Sequence, residues 1–168
     1  MSVRMELSRV FIREMADMQI IELSEVDGER TFPIVIGLPE AFAIERRLKG
    51  IEIPRPQTHD LLASVIRMLG GTLEKIEIHD LQGGTFYAKL VIGQGGDTLV
   101  EVDSRPSDAI ALGVAEEVPI FVDENVLEQA ANDPTLAAEV QAAEEGLGEA
   151  EAMDLLEEED EDEDEPWQ

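Results

Sequence analysis

Residues 72–103 read TLEKIEIHDLQGGTFYAKLVIGQGGDTLVEVD. Three alternating runs, Thr72 to Asp80, Thr85 to Gly93 and Thr98 to Asp103, are separated by Gln82-Gly83-Gly84 and Gln94-Gly95-Gly96-Asp97. A period of two is the pattern of a half-buried strand, and glycine enters the positive-φ turns that reverse a strand without steric cost. This stretch therefore predicts an antiparallel meander. Towards the N-terminus the same period recurs, with Val3, Met5 and Leu7 alternating with Arg4, Glu6 and Ser8. It resumes in another phase at Val10 and Ile12, which predicts a bulge near Ser8-Arg9. Gln19 to Ser24 and Arg30 to Gly37 flank Asp27-Gly28, a hairpin turn signal.

Helical spacing fills the intervals. Pro39 opens a stretch that runs to Lys49, with Ala41, Ile44 and Leu48 on an apolar face and Glu45, Arg46 and Arg47 leaning outward. Thr58 is placed to cap a second helix, in which Leu61, Leu62, Val65, Ile66 and Leu69 form one stripe before Gly70-Gly71. Arg105-Pro106-Ser107-Asp108 opens a third, over Ala109, Ile110, Leu112 and Val114. Pro119 to Val122 reads as a short last strand, and Asn125 to Ala131 and Asp133 to Gly146 as helices. Strands and helices mix without strict βαβ alternation, so the fold class is α+β: a single compact domain with a mixed, largely antiparallel sheet and packed helices. The expected organisation is a domain over 1–131, an Ala-rich helix or linker over 132–146, and a disordered acidic tail over 147–168.

Charge is unevenly distributed. The 168 residues include 39 acidic and 12 basic side chains, a net charge of -27, and no cysteine. Fifteen of the acidic residues lie from Glu139 onward, where there is no Lys or Arg; residues 1–138 carry a net of -12. Like-charge blocks such as Glu157 to Glu165 repel themselves and resist folding. The tail reads as a solubilising appendage, as a tether for a basic protein partner, or as a cover for a phosphate site. Lack of cysteine excludes a disulfide framework, a thiolate nucleophile and Cys-ligated metal. No apolar run reaches the roughly 18 residues of a membrane span, and the first residues resemble no secretory signal. The expectation is a cytoplasmic protein with no membrane partner.

Two helix starts 50 residues apart share a pattern: Arg55-Pro56-Gln57-Thr58-His59-Asp60 and Arg105-Pro106-Ser107-Asp108. A helix N-terminus offers unpaired N–H groups and partial positive charge, and a guanidinium matches phosphate bidentately. Arg55, Arg105, Thr58 and Ser107 are thus candidate phosphate binders. Asp103, at a strand end beside Arg105, strengthens the second site. Asp60, Asp108 and His59 are placed to orient water, or to hold a divalent metal such as Mg or Mn with a carboxylate near Arg105. The same residues also suit a purely structural role, since Thr, Ser and Asp are common caps and Arg–Asp pairs staple loops. Gly93-x-Gly95 precedes a strand, so it is a hairpin turn and no dinucleotide fingerprint.

Several motifs taken together resemble the bacterial bifunctional nuclease domain family, whose plant relatives are ascribed DNase and RNase activity. They are Phe32-Pro33-Ile34-Val35-Ile36-Gly37 with Glu40-Ala41, Arg55-Pro56-x-Thr58-His59-Asp60-Leu61, Thr85-Phe86-Tyr87-Ala88, and Val102-Asp103-Ser104-Arg105-Pro106-Ser107-Asp108-Ala109-Ile110-Ala111-Leu112. The resemblance spans about Val3 to Ala131 and leaves out the acidic tail. It implies an oligomeric α/β-type domain acting on DNA or RNA. On that reading Arg55 and Arg105 hold the phosphate, Asp60, Asp103 and Asp108 bind metal or position water, and His59 is the general acid or base. The net negative charge argues against tight non-specific duplex binding. The alternative is a non-catalytic regulatory or protein-interaction domain whose acidic tail recruits a basic partner.

Overall fold

The computed structural model describes residues 1–148 and 152–154. Apart from residues 147, 148 and 152–154, the acidic tail expected to be disordered lies outside the described residues. Strands β1 (Ser2–Phe11), β2 (Met18–Glu25) and β3 (Thr31–Gly37) lead into helices α1 (Leu38–Leu48) and α2 (Thr58–Met68). The meander follows as β4 (Thr72–Gln82), β5 (Thr85–Gly93) and β6 (Leu99–Ser104). The chain continues through α3 (Pro106–Gly113), β7 (Ile120–Asp123), α4 (Glu124–Asn132), α5 (Pro134–Leu147) and β8 (Ala152–Asp154).

The strands form one mixed sheet in the order β3-β2-β1-β7-β4-β5-β6. Among the described residues only the β4–β7 pairing is parallel; the other pairings are antiparallel. Along one edge of β1, β7 pairs with Ser2 to Met5 and β8 with Arg9 to Phe11. The expected bulge sits at Ser8, where the ladder passes from Leu7–Leu23 to Arg9–Glu22. The buried Ser8 hydroxyl there donates to the Glu22 carbonyl at 3.1 Å.

Although four strands lie between them in the sheet, Phe32 of β3 and Phe86 of β5 have ring centroids 5.5 Å apart. The sheet is therefore curled, and α3 lies in its concavity with nearly every residue from Pro106 to Gly113 buried. Small side chains permit that depth. A Cβ on Gly113 would stand 2.8 Å from the Ile76 side chain and 3.0 Å from Val118, so glycine lets the end of α3 touch the sheet. One apolar cluster joins Ile21, Leu23 and Phe32 to Ile76, Ile78 and Leu90 and to Ile110 and Leu112 of α3. The 132–146 segment is a packed helix: α5 is capped by Asp133, which accepts from the Thr135 and Leu136 amides, and it buries Leu136, Ala143 and Leu147. No helix among the described residues is long and apolar enough to cross a membrane.

Two helices differ from the reading of their sequences. Arg46 and Arg47 do not lean outward; only 15% of the side chain of Arg46 is exposed, and 9% of that of Arg47. Arg47 Nε donates to the Ala111 carbonyl at 2.6 Å and its Nη2 to the Leu112 carbonyl at 3.1 Å, satisfying carbonyls in the last turns of α3. Three positions after buried Ile44, it flanks the inward stripe of α1, and its long stem reaches under the helix. In α2, Thr58 is the first helical residue rather than the cap; Gln57 occupies the cap position, and its amide donates to Asp60 Oδ2 at 2.9 Å. The α2 stripe exists, but Leu61, Leu62, Val65 and Leu69 face outward while Ala63 and Ile66 pack on the core.

Candidate active site

Both helix starts converge, through the side chains of α2 and α3. His59 Nε2 lies 2.9 Å from Asp108 Oδ1. The other Asp108 oxygen accepts from Arg105 Nε at 2.8 Å, and Arg105 Nη2 donates to Oδ1 at 3.1 Å. From the first turn of α1, Glu40 Oε1 accepts from Arg105 Nη1 at 3.2 Å. An ionised carboxylate only accepts hydrogen bonds, so the shared proton belongs to His59 Nε2. In the neutral imidazole the lone pair is then on Nδ1. Three of the five guanidinium donors of Arg105 are engaged, leaving one N–H on each terminal nitrogen of a side chain that is 63% exposed.

Electrostatics hold this arrangement in its charged form. Burial pushes the Asp108 carboxyl up, but hydrogen bonds from Arg105 and His59 outweigh it and hold the group below the usual carboxylate range. The Asp108 hydrogen bond in turn raises Arg105, with Glu40 adding to the effect against partial desolvation.

Arg105 forms the wall between two clefts. One, of about 490 Å³, is lined by Pro39, Glu40, Pro56, Thr58, His59 and Leu61 among others. The second, of about 320 Å³, is lined by Ile34, Ile36, Phe86, Ser107 and Leu136 among others. Of the residues singled out in the sequence, Thr58, His59 and Arg105 thus line the first cleft, Asp108 bonds to both His59 and Arg105 without lining it, and Ser107 lines the second.

The remainder are placed elsewhere. Asp60 turns from the cleft: Arg46 Nη2 reaches its Oδ2 at 2.6 Å and Arg47 Nη1 its Oδ1 at 2.7 Å. Asp103 stands on the exposed face of β6 and lines neither cleft. Arg55 is exposed beside Pro56, outside both linings, and makes no ion pair among the described residues. Among the described residues no group of three or more His, Asp or Glu side chains has a metal-holding arrangement. Both Asp60 oxygens and both Asp108 oxygens already face cationic or donor groups, so the set containing His59 and Asp60 does not fit a divalent ion.

Three side chains that hold this arrangement together were given no such role in the sequence: Glu40, Arg46 and Arg47. Glu40 was signalled by the motif Glu40-Ala41 and by its place in the first turn after Pro39. Gly37 marks it too, since a Cβ there would collide with the Glu40 carboxylate. Arg46 and Arg47 carried no local signal, because their partner Asp60 comes from another helix.

A family model described as the bifunctional nuclease domain matches residues 21–135. An uncharacterized protein of Mycobacterium tuberculosis is 46% identical over 111 residues, which are 66% of this chain and 65% of that protein. Bifunctional nuclease 1 of Oryza sativa subsp. indica is 25% identical over 118 residues, 68% of this chain and 36% of that protein. Bifunctional nuclease 2 of Oryza sativa subsp. japonica is 28% identical over 114 residues, 66% of this chain and 35% of that protein. The matched region thus spans just under two thirds of the mycobacterial relative and about a third of the rice proteins.

Proposed function

The chain belongs to the bifunctional nuclease domain family, and from that premise we propose that it hydrolyses phosphodiester bonds of DNA or RNA at the first cleft. The observation that carries the reading is the 2.9 Å contact of His59 with Asp108, itself clamped by Arg105 at the cleft wall. Asp108 orients the imidazole by accepting from its Nε2. His59 Nδ1 takes a proton from water as the water oxygen bonds to phosphorus. The bond from phosphorus to the leaving sugar oxygen breaks, and that oxygen takes up a proton, which His59 can return. The two unengaged N–H groups of Arg105 bind the non-bridging oxygens and stabilise the charge that grows on them. Thr58, at the start of α2, adds a hydroxyl donor at the rim. Asp60 acts at a distance, by fixing α1 against α2 through Arg46 and Arg47.

The test is cleavage of single-stranded DNA and of RNA by the full chain, with and without EDTA, beside His59→Ala from the same purification. Loss of positioned general base catalysis predicts a rate fall of roughly 10²–10⁴-fold. Equal rates in the two proteins would overturn the assignment. The EDTA arm reports whether a divalent cation takes part.

One observation favours the second reading, a non-catalytic interaction domain. Arg105 faces two carboxylates, Glu40 and Asp108, so an incoming phosphate meets a locally negative surround. On that reading neither nucleic acid is cleaved and the wild-type chain is as inert as the variant.

A further inference from the structure

The proposed reaction leaves the second cleft unused. Its volume of about 320 Å³ falls in the range of roughly 300–1,000 Å³ typical of small-molecule sites. Ile34 and Ile36 of β3, Phe86 of β5 and Leu136 of α5, all buried, form its walls. One polar group is set into them. Ser107 is only 6% exposed, and its hydroxyl makes no hydrogen bond among the described residues. A hydroxyl buried to that degree ordinarily finds a partner within the protein. Here the space beside it is the cleft.

Two further features favour an anion at that end. No side chain caps the start of α3, so the amides of Ser107 and Asp108 lack a capping acceptor. Arg105 lines this cleft as well as the first and keeps an N–H on each terminal nitrogen. At the far end stands a carboxylate. Glu139 of α5 has no hydrogen-bond or ion-pair partner among the described residues, and a Cβ on Gly84 would meet its Oε1 at 3.3 Å. β6 ends at Ser104 opposite Ala88, and Thr85, beside Gly84, lies three residues from Ala88 along β5. That sets the two ends roughly 10 Å apart.

We propose that this cleft seats a guanine nucleotide, with its phosphate on Arg105 and Ser107, its base between the apolar walls, and its N1–H and 2-amino edge on Glu139. The span is the one a single nucleotide bridges from phosphate to the far edge of its base. An ionised carboxylate only accepts hydrogen bonds, through two oxygens side by side. Among the common bases guanine alone offers two adjacent N–H donors on one edge. Adenine and cytosine set an amino group beside an acceptor, and uracil and thymine set one N–H between two carbonyls. Charge is matched at both ends: the anion meets the guanidinium, and the neutral, donor-bearing base edge meets the carboxylate.

Given hydrolysis beside His59, on which this step rests, the cleft also defines the substrate. A phosphate held by Arg105 lies at the boundary of the two clefts, so its own nucleoside reaches into the second. A base can enter between buried side chains only when it is out of a duplex stack. The strand is therefore cut next to an unpaired guanine, and a paired guanine is passed over.

Titration calorimetry of the full chain with guanosine, inosine and adenosine 5′-monophosphates and with ribose 5-phosphate tests the cleft without any cleavage. Guanosine monophosphate should bind about tenfold more tightly than inosine monophosphate, which lacks only the 2-amino group, and more tightly still than the other two. Glu139→Gln should bring the guanosine-to-inosine ratio below about twofold, because its amide sets N–H against N–H. Ser107→Ala should weaken all the monophosphates by about threefold to tenfold without lowering Tm, since it removes no bond within the protein. Guanosine monophosphate that binds no more tightly than ribose 5-phosphate would overturn the base cleft. An unchanged ratio in Glu139→Gln would overturn the reading of the base by that carboxylate. Cleavage is scored separately, on an RNA oligonucleotide with one unpaired guanosine. The wild type should cut beside it, and more slowly when inosine replaces it. Cuts spread evenly along the strand would overturn guanine selection and leave hydrolysis at His59 standing. The expected nucleotide preferences in a chain that cuts nothing would refute the hydrolysis and support the cleft.

Discussion

Arg47 and Arg105 are both guanidinium groups beside carboxylates, and they do different work. Arg47 is enclosed, and its donors reach α3 carbonyls and Asp60 across three helices. Arg47→Ala should cost about 3 kcal/mol, because it leaves two α3 carbonyls and one oxygen of the Asp60 carboxylate without their donors. Arg105→Ala should cost less than about 1 kcal/mol in stability, since its pairs are exposed, while reducing cleavage. Urea denaturation of both variants checks the order; equal costs would contradict it. Asp60 adds a pH signature. Burial pushes its carboxyl up, but hydrogen bonds from Arg46, the Gln57 amide and Arg47 hold it below the usual 3.8. A carboxyl depressed in the folded chain binds fewer protons there than in the unfolded chain. Its stabilisation is therefore complete above the unfolded value and is lost as pH falls through the folded one. Asp60→Asn should destabilise the chain by about 2–3 kcal/mol at neutral pH. That gap should begin to narrow as the pH drops below about 4, where the unfolded chain takes up the proton, and close as the pH falls through the lower folded value. Denaturation at neutral and at acid pH measures it, and a constant gap would contradict the ion-pair account.

At the scale of elements, the close approach of α3 to the sheet makes Gly113 a sensitive point. Gly113→Ala should destabilise by roughly 1–3 kcal/mol, because Ile76 and Val118 must shift to admit the methyl group. A melting temperature equal to that of the wild type would show that α3 is less tightly seated. The strands were legible in the sequence because their determinants are local. Alternation sets the faces of β4, β5 and β6, glycine sets their turns, and the phase change at Ser8 marks the bulge in β1. The outer face of α2 was not legible. Helical spacing reveals a stripe but not whether another element covers it, and here Ala63 and Ile66 alone face the core. Arg47 escaped for a related reason: its partners are contributed by α2 and α3, which sequence proximity does not connect. In the candidate site, the two Arg-Pro helix starts led to His59, Asp108 and Arg105. They also put Asp60 among the reacting groups, and the ion pairs with Arg46 and Arg47 give it another task.

For the molecule as a whole, charge sets the terms on which a polyanion is met. Residues 155–168 include nine consecutive acidic residues, Glu157 to Glu165, and no basic one. Their field acts over about 8–10 Å at moderate salt and further at low salt. Truncation after Asp154 should raise nucleic-acid binding or cleavage at low ionic strength, and the gain should fade as salt rises. Equal binding at low salt, by titration with a labelled oligonucleotide, would contradict electrostatic shielding. The central claim is narrower and concerns the site where α2 and α3 begin. Its most direct test is the kcat/KM for one phosphodiester substrate in wild type, in Asp108→Asn, and in Asp97→Asn as a control in an exposed turn. The account predicts that Asp108→Asn lowers kcat/KM by roughly 10²-fold or more while remaining folded, and that Asp97→Asn matches the wild type. A folded Asp108→Asn chain as active as the wild type would contradict it.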